Sequence, residues 1–202
     1  FVMLAMVWPD AEEKDPYKLV FIPKTIDSSN GFWTALIQGA ELGAAEFGAE
    51  IEVLGTDSEE DVDGQIGLIY SCINKKPDAL MIAPADYSRT TEALRDVKES
   101  GIKLILLDST IDQNIADAVV CTDNYVAGKE LAEYAGGFLD KKSVIGIVAH
   151  VQGTSTAMER ENGIRDGLGG YEAQIADIVF CNSSYEKAYE LTKRMLSDYP
   201  DM

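Results

Sequence analysis

From Lys18 onward, short apolar runs alternate with stretches whose apolar residues recur every three or four positions. Runs of four to six apolar residues read as strands, and the three-to-four spacing reads as helices with one buried face. The first run is Leu19 to Ile22, and the helix after it carries Trp33, Ile37, Ala40, Ala44 and Phe47 on one side. Ile51 to Leu54 is the second strand. The helix from about Asp61 to Asn74 then presents Val62, Ile66, Ile69 and Ile73 together.

Ala79 to Ala83 is the third strand, followed by a helix marked by Ala93, Leu94 and Val97 that should stop near Gly101, a C-terminal glycine. Leu104 to Leu107 is continuously apolar, as expected of a parallel strand covered on both faces. A shorter run, Ala118 to Cys121, leads through Thr122-Asp123-Asn124 into helical spacing over Val126 to Leu139. A second series follows: strand Val144 to Ala149, a helix from about Ser155 to Leu168, strand Ile178 to Cys181, and a helix from Tyr185 to about Asp198.

Strand and helix in alternation imply parallel βαβ units, and two series separated by a polar crossing fit two lobes better than one sheet. The expected divisions are a leader or anchor remnant over 1–17, an N-terminal α/β lobe over 18–123, and a partial C-terminal α/β lobe over 124–202. The chain ends at Met202 where the pattern predicts another strand, which reads as a fragment or a partner-completed fold.

With 46% apolar and 26% charged residues the chain is an ordinary globular one, so disorder and low-complexity architectures are excluded. Charge narrows the function. Thirty-five acidic against 17 basic side chains give a net charge of −18, and no basic cluster exceeds Lys141-Lys142, so nucleic acid is excluded as a partner. Cys72, Cys121 and Cys181 are too far apart for a metal or redox motif, and each lies in or beside an apolar run, which predicts buried free thiols. No metal site or cofactor is expected. Phe1 to Trp8 is almost wholly apolar, too short to span a bilayer, and reads as what is left of a signal or membrane anchor lying upstream of Phe1, or as a strand packed on the domain.

In open α/β sheets ligands bind beyond the carboxyl ends of the strands. The loop after strand one, Ser28-Ser29-Asn30-Gly31-Phe32-Trp33, joins an amide to two rings at a helix start. Apolar rings match the C–H faces of a sugar, and Asn can donate to and accept from hydroxyls. Asn30 is equally a helix cap, and because successive helical positions point about 100° apart, one of Phe32 and Trp33 can belong to the core. Asp108 after strand four is suited to two vicinal hydroxyls, or to bracing its own loop. Asp123 and Asn124 can line a hinge or cap the next helix. Arg160, about one turn into the helix opened by Gly153-Thr154-Ser155, offers a rigid fork toward Asp108 across a cleft, or pairs with Glu159 or Glu161 on the surface.

Catalytic chemistry finds no support. His150, the single histidine, ends a strand without an evident nucleophile, and Pro23 to Asn30 lacks the glycines of a phosphate loop.

Five segments in order, SSNGFWTALIQGA, ALMIAPAD, LILLDST, TDNYVAG and GTSTAMERENG, resemble the ribose-binding branch of the type I periplasmic (solute-) binding proteins over Lys18 to Met202. The resemblance implies the two-lobe type I fold, parallel sheets flanked by helices, with the C-terminal lobe incomplete in this chain. It implies a non-enzymatic, extracytoplasmic protein that clamps a small sugar or polyol and presents it to an ABC-type permease. The alternative is a membrane-tethered sugar sensor read by a receptor histidine kinase. Carried over by position, Asn30, Phe32, Trp33, Asp108 and Arg160 match ligand contacts, and Asp123 and Asn124 the first hinge crossing. Ala83, Ser109 and Ser183 stand where ribose binders carry Asn, Arg and an aromatic residue, which argues against ribose itself.

Overall fold

The computed structural model describes residues 15–202. Most of the expected leader, residues 1–14, lies outside them. Strands β1 (Lys18–Ile22), β2 (Glu50–Val53), β3 (Ala79–Ile82), β4 (Lys103–Leu107) and β5 (Ala118–Val120) form one parallel sheet in the order β2-β1-β3-β4-β5. Helices α1 (Gly31–Glu46), α2 (Val62–Lys75) and α3 (Thr91–Glu99) make the crossovers between the first four strands. The chain passes from β1 to β2 on one side and returns to β3 on the other. The switch point between β1 and β3 opens a crevice at the strands' carboxyl ends.

The core fills the space between sheet and helices. Val20, Ile22, Leu80, Ile82, Leu104 and Leu106 meet Ile69 and Cys72 of α2 and Leu94 and Val97 of α3. Gln65, buried on α2, holds the switch point. Its Nε2 donates to Pro23 O (3.3 Å) and Ala83 O (2.9 Å), and its Oε1 accepts from Ala85 N (2.9 Å). The loops after β1 and β3 are thereby tied to one side chain, and each buried backbone group finds the partner it needs.

After β5 the chain crosses through Thr122-Asp123 into α4 (Asn124–Gly136), then builds a second sheet from β6 (Ile145–Ala149) and β7 (Ile175–Phe180). Helix α5 (Ser155–Leu168) connects them through a 3₁₀ turn at Gly169–Gln174, and α6 (Tyr185–Asp198) follows β7. Helices α4 and α5 pack backbone to backbone: a Cβ at Gly128 would collide with Arg160 O, and one at Gly163 with Tyr125 O. Only glycine permits that approach, and it sets the position of the Arg160 turn relative to α4.

The elements follow the hydrophobic pattern, with three local differences. Helix α4 begins two residues early because Asp123 caps it, Oδ1 accepting from Val126 N at 2.9 Å. Strand β7 begins three residues early, its ladder running from Ile145/Ile175. Phe47, expected on the buried face of α1, is 84% exposed, since the helix ends at Glu46 and Phe47 turns away with the chain. Of the three cysteines Cys72 is buried, but Cys121 is exposed, because the short edge strand β5 that precedes it leaves its side chains uncovered.

Candidate functional site

A cleft of about 660 Å³ opens at the carboxyl ends of both sheets. Its walls come from the loops after β1, β2, β4, β6 and β7, together with the first turns of α1, α5 and α6. Asn30, Phe32, Trp33, Asp108 and Arg160 all line it. Five positions spread over 130 residues of sequence are thus brought to one groove, because each follows a parallel strand or opens the helix after it.

Asn30 caps α1, its Oδ1 accepting from Phe32 N (3.2 Å) and Trp33 N (3.4 Å). The cap leaves Nδ2 free to donate to Glu59 Oε1 at 3.1 Å. Trp33 donates from Nε1 to the same oxygen at 2.8 Å. The two rings divide as helical geometry requires: Trp33 is 2% exposed and Phe32 56%. They meet edge to face, centroids 4.9 Å apart. Trp33 therefore holds the wall rigid, and Phe32 offers its ring to the groove.

Two charged residues here escaped the sequence reading. Lys24, 2% exposed, donates from Nζ to Asp108 Oδ2 at 2.9 Å and lies over the Trp33 ring, 5.6 Å from its centroid. Glu59 is buried and lines the same cleft. Both sit in polar stretches that look like ordinary surface loops. The one available signal was the position of Lys24 two residues past the end of the first strand, where side chains face the ligand crevice.

Asp108 has a φ of +62°, a left-handed conformation that Asp tolerates better than most residues and that turns its carboxylate toward Lys24. Ser109 is buried and donates to Pro84 O at 2.9 Å, and Ala83 is fully buried. Ser183 lines the cleft between Asn182 and Ser184, and Asn182 Nδ2 donates to Glu60 across its mouth.

In the second series Arg160 reaches the cleft from α5, its Nε donating to Asn124 Oδ1 at 2.7 Å rather than to Glu159 or Glu161. Asn124 is buried and donates from Nδ2 to Thr122 O at 3.0 Å. Thr110 N donates to Ser155 Oγ (2.8 Å) and Tyr87 N to Gly153 O (2.9 Å), so the two α/β halves touch at the back of the groove. Burial raises the Glu159 carboxyl above its ordinary value, opposed by hydrogen bonds involving Asn124 and Thr110.

His150 Nε2 lies 2.8 Å from Thr156 Oγ1 and 3.3 Å from Thr154 Oγ1. Burial, then the positive charges of Lys24 and Arg160, push its pKa down to about 4 despite Asp108. A depressed histidine contributes stability that is complete above its ordinary 6.5 and is lost as pH falls through 4, because the unfolded chain takes up the proton first. The expected result is a urea midpoint that drops between pH 6.5 and 5, before most carboxylates titrate. His150→Gln should flatten that segment of the profile, and an unchanged slope would assign the drop to other groups.

No group of three or more His, Cys, Asp or Glu among the described residues is placed to hold a metal ion. Among the same residues no helix is long and apolar enough to cross a membrane.

A family model described as periplasmic binding protein domain matches residues 19–202. The chain belongs to this family. It is 39% identical to a sugar transporter from Clostridium phytofermentans, whose crystal structure superposes with a TM-score of 0.88 over 93% of this chain and 69% of that one. A D-ribose/D-allose-binding protein of Pseudomonas aeruginosa is 25% identical over 210 residues, 100% of this chain and 65% of the relative. A ribose import binding protein of Bacillus subtilis is 23% identical over 174 residues, 86% of this chain and 56% of the relative. The chain thus spans 56–65% of the length of these two curated relatives. The two-lobe α/β architecture read from the sequence and the resemblance to ribose-binding proteins are both borne out. These periplasmic binding protein relatives are named for binding or transport and not for catalysis, in agreement with the reading of a binding protein.

Proposed function

We propose that this chain is the sugar-gripping part of an extracytoplasmic solute-binding protein that delivers a small neutral sugar or polyol to an ABC-type permease. Residues 18–123 act as one lobe and 124–202 as the partner lobe, with Asp123 and Asn124 at the crossing. The observation that carries the reading is the composition of the groove. Phe32 offers an apolar ring, the Lys24–Asp108 pair offers a donor beside an acceptor, and Arg160 faces them from the other half. A hydroxyl both donates and accepts, so a polyol satisfies such a pair without breaking it. Names borne by the relatives, for D-ribose and D-allose among others, support the solute class.

The experiment is calorimetry and thermal shift against D-ribose, D-allose, neutral hexoses and myo-inositol. A solute that binds only the folded state raises the melting temperature, by about 2.7 kcal/mol of stabilisation at a hundredfold excess over Kd. Arg160→Ala is expected to weaken that solute by about 1.5–3 kcal/mol, the scale of a hydrogen bond to a charged group. A panel that leaves melting unchanged, sugar by sugar, sinks the proposal.

A further inference from the structure

Arg160 has the longest side chain that lines the cleft from the second half, so something must fix where its guanidinium points. Its Nε donates to Asn124 Oδ1 at 2.7 Å, which leaves the two terminal nitrogens for the groove. Asn124 is itself 2% exposed, and its Nδ2 donates to Thr122 O at 3.0 Å, inside the segment that crosses between the halves. Asn124 also hydrogen-bonds to Glu159, whose other such partner is Thr110, two residues past Asp108 in the first half. Gly128 lets α4 come close enough to the Arg160 backbone for these contacts to form.

We infer that Asn124 is a positioning residue: it aims Arg160 into the cleft and ties that aim to the crossing segment, so that solute held by Arg160 is felt at the hinge. The inference rests on the reading of the cleft as a solute site. A buried amide with its acceptor on a cleft guanidinium and its donor on the crossing backbone has two jobs that substitutions can separate. Capping of α4 is not one of them, since Asp123 does that. The alternative, that Asn124 merely fills space at the start of α4, leaves Arg160 unaffected by its loss.

The test combines a double-mutant cycle with hydrogen exchange. With the tightest-binding sugar of the panel as probe, Asn124→Ala and Arg160→Ala are each expected to weaken binding roughly tenfold or more, and the double variant no further than the weaker single by about twofold. Asn124→Leu fills the same space without an acceptor and should lose affinity as Asn124→Ala does, whereas Asn124→Asp keeps the oxygen that accepts from Arg160 while losing the donor to Thr122 O and should retain more of it, a split that simple filling of space does not predict. Without any sugar, Arg160→Ala should speed amide exchange in the crossing peptide around Thr122, which Arg160 reaches through Asn124. Losses that multiply in the double variant, or no rescue by Asp, overturn the inference. A crossing peptide indifferent to Arg160→Ala overturns it as well. If the parent chain binds no sugar, the functional reading fails separately, and the exchange measurement still decides whether Arg160 and the crossing are joined.

Discussion

Asp108→Asn is expected to destabilise the chain by about 3–5 kcal/mol, the cost of removing one partner from a buried ion pair. Lys24 is almost wholly enclosed, its ammonium held by Asp108 Oδ2 at 2.9 Å and by the face of Trp33. An ammonium in that place has exchanged its water shell for one carboxylate and one ring. Asn keeps the shape, and it accepts the left-handed φ of +62° as readily as Asp, so backbone strain does not enter the comparison. What changes is the charge. The double variant Lys24→Met/Asp108→Asn removes the stranded cation and should recover most of the stability loss, while sugar binding stays weak because the ammonium donor and the charged acceptor are both gone. Urea unfolding of the single and double variants measures this, with the m-value checking that the same surface is exposed. A single variant within about 1 kcal/mol of the parent would mean that water reaches Lys24.

That pair also marks where sequence reasoning stops. Alternating short runs and helical spacings were enough to place every strand and helix within a few residues, because burial of one helix face and of both strand faces is written as local periodicity. The loops at the strand ends followed from the same pattern, and with them Asn30, Phe32, Trp33, Asp108 and Arg160. Lys24 and Glu59 carry no such periodicity. A lysine in Pro23-Lys24-Thr25 and a glutamate in Ser58-Glu59-Glu60 read as solvated, and only the placement of Asp108 and Trp33 from elsewhere in the chain turns them into buried partners. The same cause explains Cys121: an apolar run predicts burial, but β5 lies at the sheet's edge with its side chains uncovered. Arg160 illustrates the converse. Its neighbours Glu159 and Glu161 offered an ion pair on local grounds, and the close α4–α5 contact through Gly128 and Gly163 gave it Asn124 instead.

Trp33 and Phe32 adjoin in sequence yet should fail in opposite ways. Trp33→Ala is expected to cost about 3–5 kcal/mol of stability, the range for deleting a large buried ring. The indole is enclosed, and its loss also takes away the ring beneath Lys24 and one of the two donors to Glu59. Trp33→Phe retains most of the packing and removes only the donor, which should cost about 1–3 kcal/mol because Glu59 stays buried with Asn30 alone. Phe32→Ala, by contrast, takes away a ring that is more than half exposed, so its unfolding midpoint should move little. Its sugar affinity should fall by about 0.5–1.5 kcal/mol or more, the scale of one ring-face contact. Urea midpoints and calorimetric affinities on the three variants separate wall from contact. If Phe32→Ala unfolds as readily as Trp33→Ala, or if Trp33→Ala leaves the midpoint where it was, the division of labour between the two rings is wrong and the groove must be held open by something other than the Asn30–Glu59–Trp33 brace.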